Sequence, residues 1–135
     1  MDTTLGIDLG TQSLKVVFYD FNSREVVATA SSPLDVIRDE NGKAEQDASW
    51  WLAALQQSLQ EVNEDIRMSV RAIAVSGQQH GFVPINNNGE VLHTVKLWCD
   101  TETQQECDEM AEVCGGQERC IELAGNPILT GYTAA

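Results

Sequence analysis

Apolar and β-branched residues fall into two short runs near the start of the chain, Leu5 to Leu9 and Leu14 to Tyr19, with only Gly10 to Ser13 between them. Runs of that length around a few turn-forming residues predict a β-hairpin. The polar string DFNSRE leads to a third strand, Val26 to Thr29, so the opening reads as a three-stranded antiparallel meander. Residues 31–46 hold Ser, Pro, Asp, Asn and Gly and read as loop. Then the period changes. Behind Asp47, a helix-capping residue type, Trp51, Leu55, Leu59 and Val62 recur at helical spacing and predict an amphipathic helix to about Asp65. Val70 to Val75 returns to a strand pattern. Phe82 to Ile85 and Val91-Leu92 flank NNNGE, a hairpin signal. VKLWCD reads as a short extended piece, Thr101 to Cys114 as a second helix stopped by two glycines, and Gln117 to Leu123 as a third.

Three antiparallel strands, a helix and a further strand define a topology. A helical crossover normally returns the next strand parallel to one already in the sheet. The layout is that of a ribonuclease H-like α/β core, a mixed sheet with helices on its faces. The chain, 135 residues with 42% apolar content, suits one folded domain rather than a disordered segment. Its ending, GNPILTGYTAA, has no tail character and reads as the middle of a longer chain.

A net charge of −13 argues against nucleic acid or an anionic membrane as partners, because phosphates repel such a surface. It leaves open an anionic small molecule held by a local cation or by backbone N–H groups. The start, MDTTLGIDLG, has no basic segment followed by an apolar one, and no apolar run approaches the ~18 residues of a membrane span. A cytoplasmic location is therefore expected. Cys99, Cys107, Cys114 and Cys120 make no Cys-x-x-Cys pair and are expected as free thiols.

The chemistry concentrates in two places. Asp8 lies between Ile7 and Leu9, so in a strand it faces opposite to them, and a carboxylate on an apolar strand needs a partner, water or a metal. Gly10 permits close approach to the backbone, and Thr11, Gln12 and Ser13 bring turn N–H groups and polar side chains. That set can hold a phosphate while the carboxylate reaches Mg²⁺ through water, with Lys15 as a countercharge. It fits a solvated hairpin turn equally, and the P-loop pattern is missing. The second place is SGQQHG. Gln79 and His80 there offer donors and acceptors suited to a ligand with several hydroxyls, and fit an ordinary loop as well.

GIDLGTQSLKVVFYD resembles the first phosphate motif of the actin, chaperone and sugar-kinase superfamily. Within it the chain resembles the amino-terminal part of the FGGY carbohydrate kinases, and among these the xylulose kinases. Four further stretches agree in order: EQDASWW, AVSGQQHGFV, LWCD and GNPILTGYTAA. The resemblance covers essentially the whole chain, as the first part of the first of two domains. It implies that Asp8 orients the hydration shell of Mg²⁺, and that Gly10, Thr11, Gln12 and Ser13 line the phosphates of ATP. It implies that Gln79 and His80 contact a ketose, that Trp98 packs on the sugar and that Asp100 accepts its hydroxyl hydrogen bonds. Read alone, Trp98 fits a core position and Asp100 a helix cap. Relatives often carry an arginine soon after this aspartate; here the run is Thr101-Glu102-Thr103, which puts a cationic contact there in doubt.

The implied reaction is transfer of the γ-phosphoryl of ATP to D-xylulose, giving D-xylulose 5-phosphate. The implied general base is an aspartate beyond residue 135, so the isolated chain is expected to be inactive. A sheet domain ending here should expose apolar surface, and a homodimer is one way to cover it. Three alternatives stand beside this reading: another FGGY kinase acting on ribulose, gluconate or a similar sugar, a non-catalytic sugar-binding module, and an ATPase of the actin or chaperone type. The last leaves GQQHG without a purpose.

Overall fold

A computed structural model describes residues 1–132 and separates the chain into two units. Unit 1 comprises Met1–Val36 and Asp47–Gln78; unit 2 comprises Ile37–Gln46 and the chain from Gln79 onward. Among the described residues no helix is long and apolar enough to cross a membrane.

Unit 1 is built on a four-stranded sheet of β1 (Thr3–Leu9), β2 (Ser13–Asp20), β3 (Glu25–Pro33) and β6 (Val70–Gly77), in the order β3-β2-β1-β6. β1 pairs antiparallel with β2 from Thr3↔Asp20 to Leu9↔Leu14, and β2 pairs antiparallel with β3. β6 pairs parallel with β1, as the helical crossover requires. The crossover is α1 (Ala48–Gln60) followed by a short α2 (Glu64–Met68). The Asp47 carboxylate caps α1 by accepting from the Ser49 amide at 2.8 Å. The predicted single helix to Asp65 is broken: Asn63 caps a new start by accepting from Asp65 N at 2.8 Å. An asparagine bonds its own backbone two residues on more readily than it continues a helix.

Alternation decides what is buried. Leu14, Val16 and Phe18 of β2 point to one face, where they join Leu5, Leu34, Ala54 and Val62 in the core. Trp50, Trp51, Leu55 and Leu59 of α1 pack against this cluster, which identifies the tryptophans as packing residues. A hydrogen bond of 2.8 Å between the buried Ser32 and Ser58 hydroxyls ties β3 to α1. β6 is different. It ends the sheet and is exposed along most of its length, with Ile73 at 63% and Val75 at 71% exposure. This is the open apolar surface expected of such a chain.

Unit 2 contains β4 (Ile37–Arg38), β5 (Ala44–Gln46) and β7 (Val95–Lys96), a small antiparallel sheet in the order β4-β5-β7. Two helices follow, α3 (Gln104–Cys114) and α4 (Gln117–Ala124). Reading 31–46 as loop was therefore wrong: β3 runs on to Pro33, and β4 and β5 lie in the same stretch. β4 and β5 are two and three residues long, too short for alternation to register. The turn at NNNGE forms, with Asn86 Oδ1 accepting from the Asn88 and Glu90 amides at 2.9 Å each. Its flanks make only the isolated bridge Ile85↔Val91 rather than a ladder. Pro84 interrupts the first flank, having no N–H to donate.

Candidate functional site

Each unit carries one group of the residues singled out by sequence. In unit 1 the β1–β2 hairpin carries Asp8 near the end of β1, exposed, opposite Lys15 on β2 and Ser76 on β6. Directly opposed residues share a face, so the Lys15 ammonium stands on the same side as the carboxylate. Between the strands, Gly10 N–H donates to Ser13 O at 3.0 Å. That amide is spent inside the turn, so what Gly10 offers a ligand is its missing side chain; even a Cβ there would stand 3.1 Å from Ser13 O. Gln12 and Ser13 are exposed. The Gln12 carbonyl accepts from Leu34 N at 2.8 Å, and Thr11 Oγ1 donates to Gln78 Oε1 at 2.8 Å. These bonds fix the turn from outside the hairpin. Gln78, at the end of β6, also donates its amide to Leu9 O at 3.0 Å. Sequence reasoning set Gln78 aside in favour of its neighbours; a glutamine between Gly77 and Gln79 offers no signal of a bond reaching back 67 residues.

In unit 2, Gln79 and His80 are exposed, and His80 adopts φ +59°. A left-handed conformation is uncommon for residues with a side chain, although histidine, like asparagine and aspartate, enters it more readily than most. The His80 ring meets Tyr132 edge-on, with centroids 4.7 Å apart. His80, Lys96, Leu97, Asp100, Gly131 and Tyr132 line a small cleft. Trp98 is 54% exposed, so it does not occupy a core position in unit 2. Its carbonyl lies against Gly131, where an added Cβ would collide with Trp98 O; Gly131 also sits at φ +76°. Gly131→Ala should therefore cost roughly 1–2 kcal/mol from conformation alone, and more from the collision. The expected result is a lowered unfolding midpoint with loss of the Tyr132–His80 ring contact, followed by the His80 ring resonances in NMR.

Asp100 is 2% exposed. Its carboxylate accepts from Ala44 N at 2.7 Å and Glu102 N at 3.0 Å and faces Lys96 Nζ at 3.5 Å. The same ammonium reaches Glu45 Oε1 at 3.1 Å and Glu102 Oε2 at 2.7 Å. Glu45, 3% exposed, also accepts from the Thr94 hydroxyl. The three carboxylates come within 4.8 Å of one another, and Lys96 is the cation that holds them. Partial burial pulls the Lys96 pKa down, but hydrogen bonds to Glu102 and Glu45 and the nearby charges outweigh it and raise it far above its ordinary value. Burial likewise pushes Glu45 up, and the Thr94 and Lys96 hydrogen bonds overcome it and leave Glu45 below the usual glutamate range. Glu45 and Lys96 stand opposite each other in the β5–β7 pair, 51 residues apart in sequence. No spacing rule could have joined them.

The N-terminal-domain model of the FGGY family of carbohydrate kinases matches residues 3–135. The chain is 40% identical to a xylulose kinase of Haemophilus influenzae over 97% of its own length and 28% of that protein's. A crystal structure of a xyloylose kinase from Brucella ovis superposes with a TM-score of 0.84 at 30% identity, covering 98% of this chain and 27% of that one. A gluconate kinase from Lactobacillus acidophilus superposes with a TM-score of 0.79 at 25% identity, covering 96% and 26%. The chain thus spans about a quarter of the length of these relatives. The ribonuclease H-like mixed sheet is the fold that these sugar kinases share over this region. The chain belongs to the FGGY family of carbohydrate kinases and carries sequence of that family's N-terminal domain.

Proposed function

We propose that this chain is part of an ATP-dependent kinase of the cytoplasm that phosphorylates D-xylulose. The observation that carries the reading is the hairpin end: an exposed carboxylate, a glycine opening the turn and exposed Gln12 and Ser13 gathered at one strand terminus. This donor set suits the phosphates of ATP with Mg²⁺: the turn offers N–H groups and hydroxyls, and Asp8 an oxygen for the metal's hydration shell. Bound there, the ion would neutralise phosphate charge during transfer. Gly10, Thr11, Gln12 and Ser13 would follow the phosphates, with Thr11 steadied by Gln78. In unit 2, Gln79, His80 and Asp100 would hydrogen-bond the sugar's hydroxyls and Trp98 would cover its apolar face. Asp100 already accepts two backbone amides, so its share in sugar binding would fall to what remains of its acceptor capacity. The 40% identity to a protein named xylulose kinase supports the ketopentose. A homodimer would cover the β6 surface.

The superposition on a gluconate kinase favours a second reading, a related kinase for another sugar. Both are tested on the full-length protein with D-xylulose, D-ribulose and gluconate. The expected result is the highest kcat/KM for D-xylulose, and in His80→Ala a KM for sugar raised about tenfold or more, the loss of one hydrogen bond in a polar site, with KM for ATP little changed. A higher kcat/KM for gluconate would replace the first reading by the second. A full-length protein that binds xylulose and transfers no phosphate would make it a sugar-binding module.

A further inference from the structure

His80 is held from two sides. Its backbone sits at φ +59°, a conformation that costs free energy and persists where the surroundings impose it. Two residues on, Phe82 N–H donates to Lys96 O at 3.1 Å and ties the loop to β7. Against the imidazole stands the Tyr132 ring, with centroids 4.7 Å apart and planes at 61°. Tyr132 is half-buried, and the segment before it is fastened at two points. Gln117, the first residue of α4, donates its side-chain amide to Ile128 O at 2.8 Å and accepts from Ile128 N at 3.0 Å. Gly131, at φ +76°, lets the backbone lie so close to the Trp98 carbonyl that no Cβ would fit. Tyr132 N–H then donates to Leu129 O at 3.3 Å. We propose that Tyr132 is a positioning residue for sugar binding, its ring holding the His80 imidazole at the cleft that both residues line with Lys96 and Asp100.

This role rests on the reading that His80 contacts the ketose. His80 is exposed, and an exposed imidazole has several rotamers open to it. Fixing one of them on a sugar hydroxyl costs entropy at the moment of binding. The Tyr132 ring blocks the rotamers that would pass through it and attracts the one that meets it edge-on. The imidazole is then oriented before the sugar arrives. Preorganisation of this kind strengthens binding and leaves the phosphoryl transfer itself untouched, so it belongs in the KM for sugar and not in kcat. A phenyl ring does the same without the hydroxyl. Because Tyr132 acts through His80, its effect disappears once the imidazole is gone.

The test assays the full-length protein as Tyr132→Phe, Tyr132→Leu, His80→Ala and the double variant of Tyr132→Leu with His80→Ala. In Tyr132→Leu the KM for D-xylulose should rise about three- to tenfold, the span of one aromatic pair. Tyr132→Phe should match the wild type, and kcat and the KM for ATP should hold in both. The double variant should show the same sugar KM as His80→Ala alone. The His80 ring resonances in NMR should move in Tyr132→Leu and stay in Tyr132→Phe. Three results would overturn the proposal. One is an unchanged sugar KM in Tyr132→Leu while His80→Ala raises it. Another is a Tyr132→Phe variant as impaired as Tyr132→Leu, which would make the hydroxyl the working group. The third is a fall in kcat with both KM values raised in Tyr132→Leu, or an effect that survives His80→Ala; either would make the ring a packing residue. A sugar KM unchanged in His80→Ala is a different outcome: it removes His80 from the sugar site, and the role of Tyr132 there goes with it.

Discussion

Lys96→Met should weaken unit 2 by about 3 kcal/mol, the lower end of the cost of stripping one partner from a buried ion pair; the lysine side chain is 26% exposed, which places it at that end. Methionine keeps most of the aliphatic stem and removes the charge that Glu45, Asp100 and Glu102 share. Two of those carboxylates are nearly inaccessible to water, so nothing replaces the ammonium. The damage should be local. In hydrogen exchange, the Ala44 and Glu102 amides, both bound by Asp100, should exchange much faster, while the β1–β2 ladder of unit 1 keeps its protection. The pH dependence has a defined sign. In the wild type the folded pKa of Glu45 lies below its ordinary 4.5, so its contribution is present above that value and is lost as pH falls through the folded pKa. The folded pKa of Lys96 lies above its ordinary 10.5, so its contribution is present below 10.5 and is lost as pH rises through the raised value. The cluster stabilises fully between these limits. In Lys96→Met the carboxylates are left to repel one another and Glu45 loses the ammonium that held its pKa down, so protonation of Glu45 relieves the repulsion and the deficit should be smaller near about pH 5 than near about pH 8. An equal deficit at both would mean that packing by the lysine stem, not its charge, holds the cluster.

The second large effect is expected at Asp8. In the full-length protein Asp8→Ala should lower kcat by about 10²–10³-fold, the range for removing one electrostatic group from a transition state, with KM for the sugar little changed. Asp8 is exposed and its strand neighbours supply the core contacts, so the unfolding free energy should stay within about 0.5 kcal/mol of the wild type. That separation matters: a residue that only caps the hairpin would move stability and leave kcat alone. A kcat within about threefold of the wild type would reduce Asp8 to a solvated turn residue. Raising the magnesium concentration should recover part of the lost rate in Asp8→Asn, which keeps an oxygen at the site.

Local pattern determined the larger elements by itself. β1, β2, β6, α1, α3 and α4 follow from runs of alternating or helically spaced apolar residues, from the Asp47 cap and from the paired glycines at 115 and 116. The parallel placement of β6 follows as well, because a helical crossover has few alternatives. The hairpin chemistry was legible for the same reason: Asp8, Gly10, Thr11, Gln12 and Ser13 are contiguous, and a β-turn keeps sequence neighbours together in space. What only the tertiary structure decided involves residues far apart in the chain. The pairing of Glu45 with Lys96, the Ala44 amide taken by Asp100, the bond from Thr11 to Gln78 and the meeting of His80 with Tyr132 each span 51 to 67 positions, the first of them between strands of three and two residues. A short strand has too few positions to show a period, and its place is set by the partner it pairs with. A charge such as Lys96 reads as solvated until the fold surrounds it with carboxylates. Burial and pairing are properties of the assembled sheet, and they alone distinguish an acidic residue that faces solvent from one that holds the structure together.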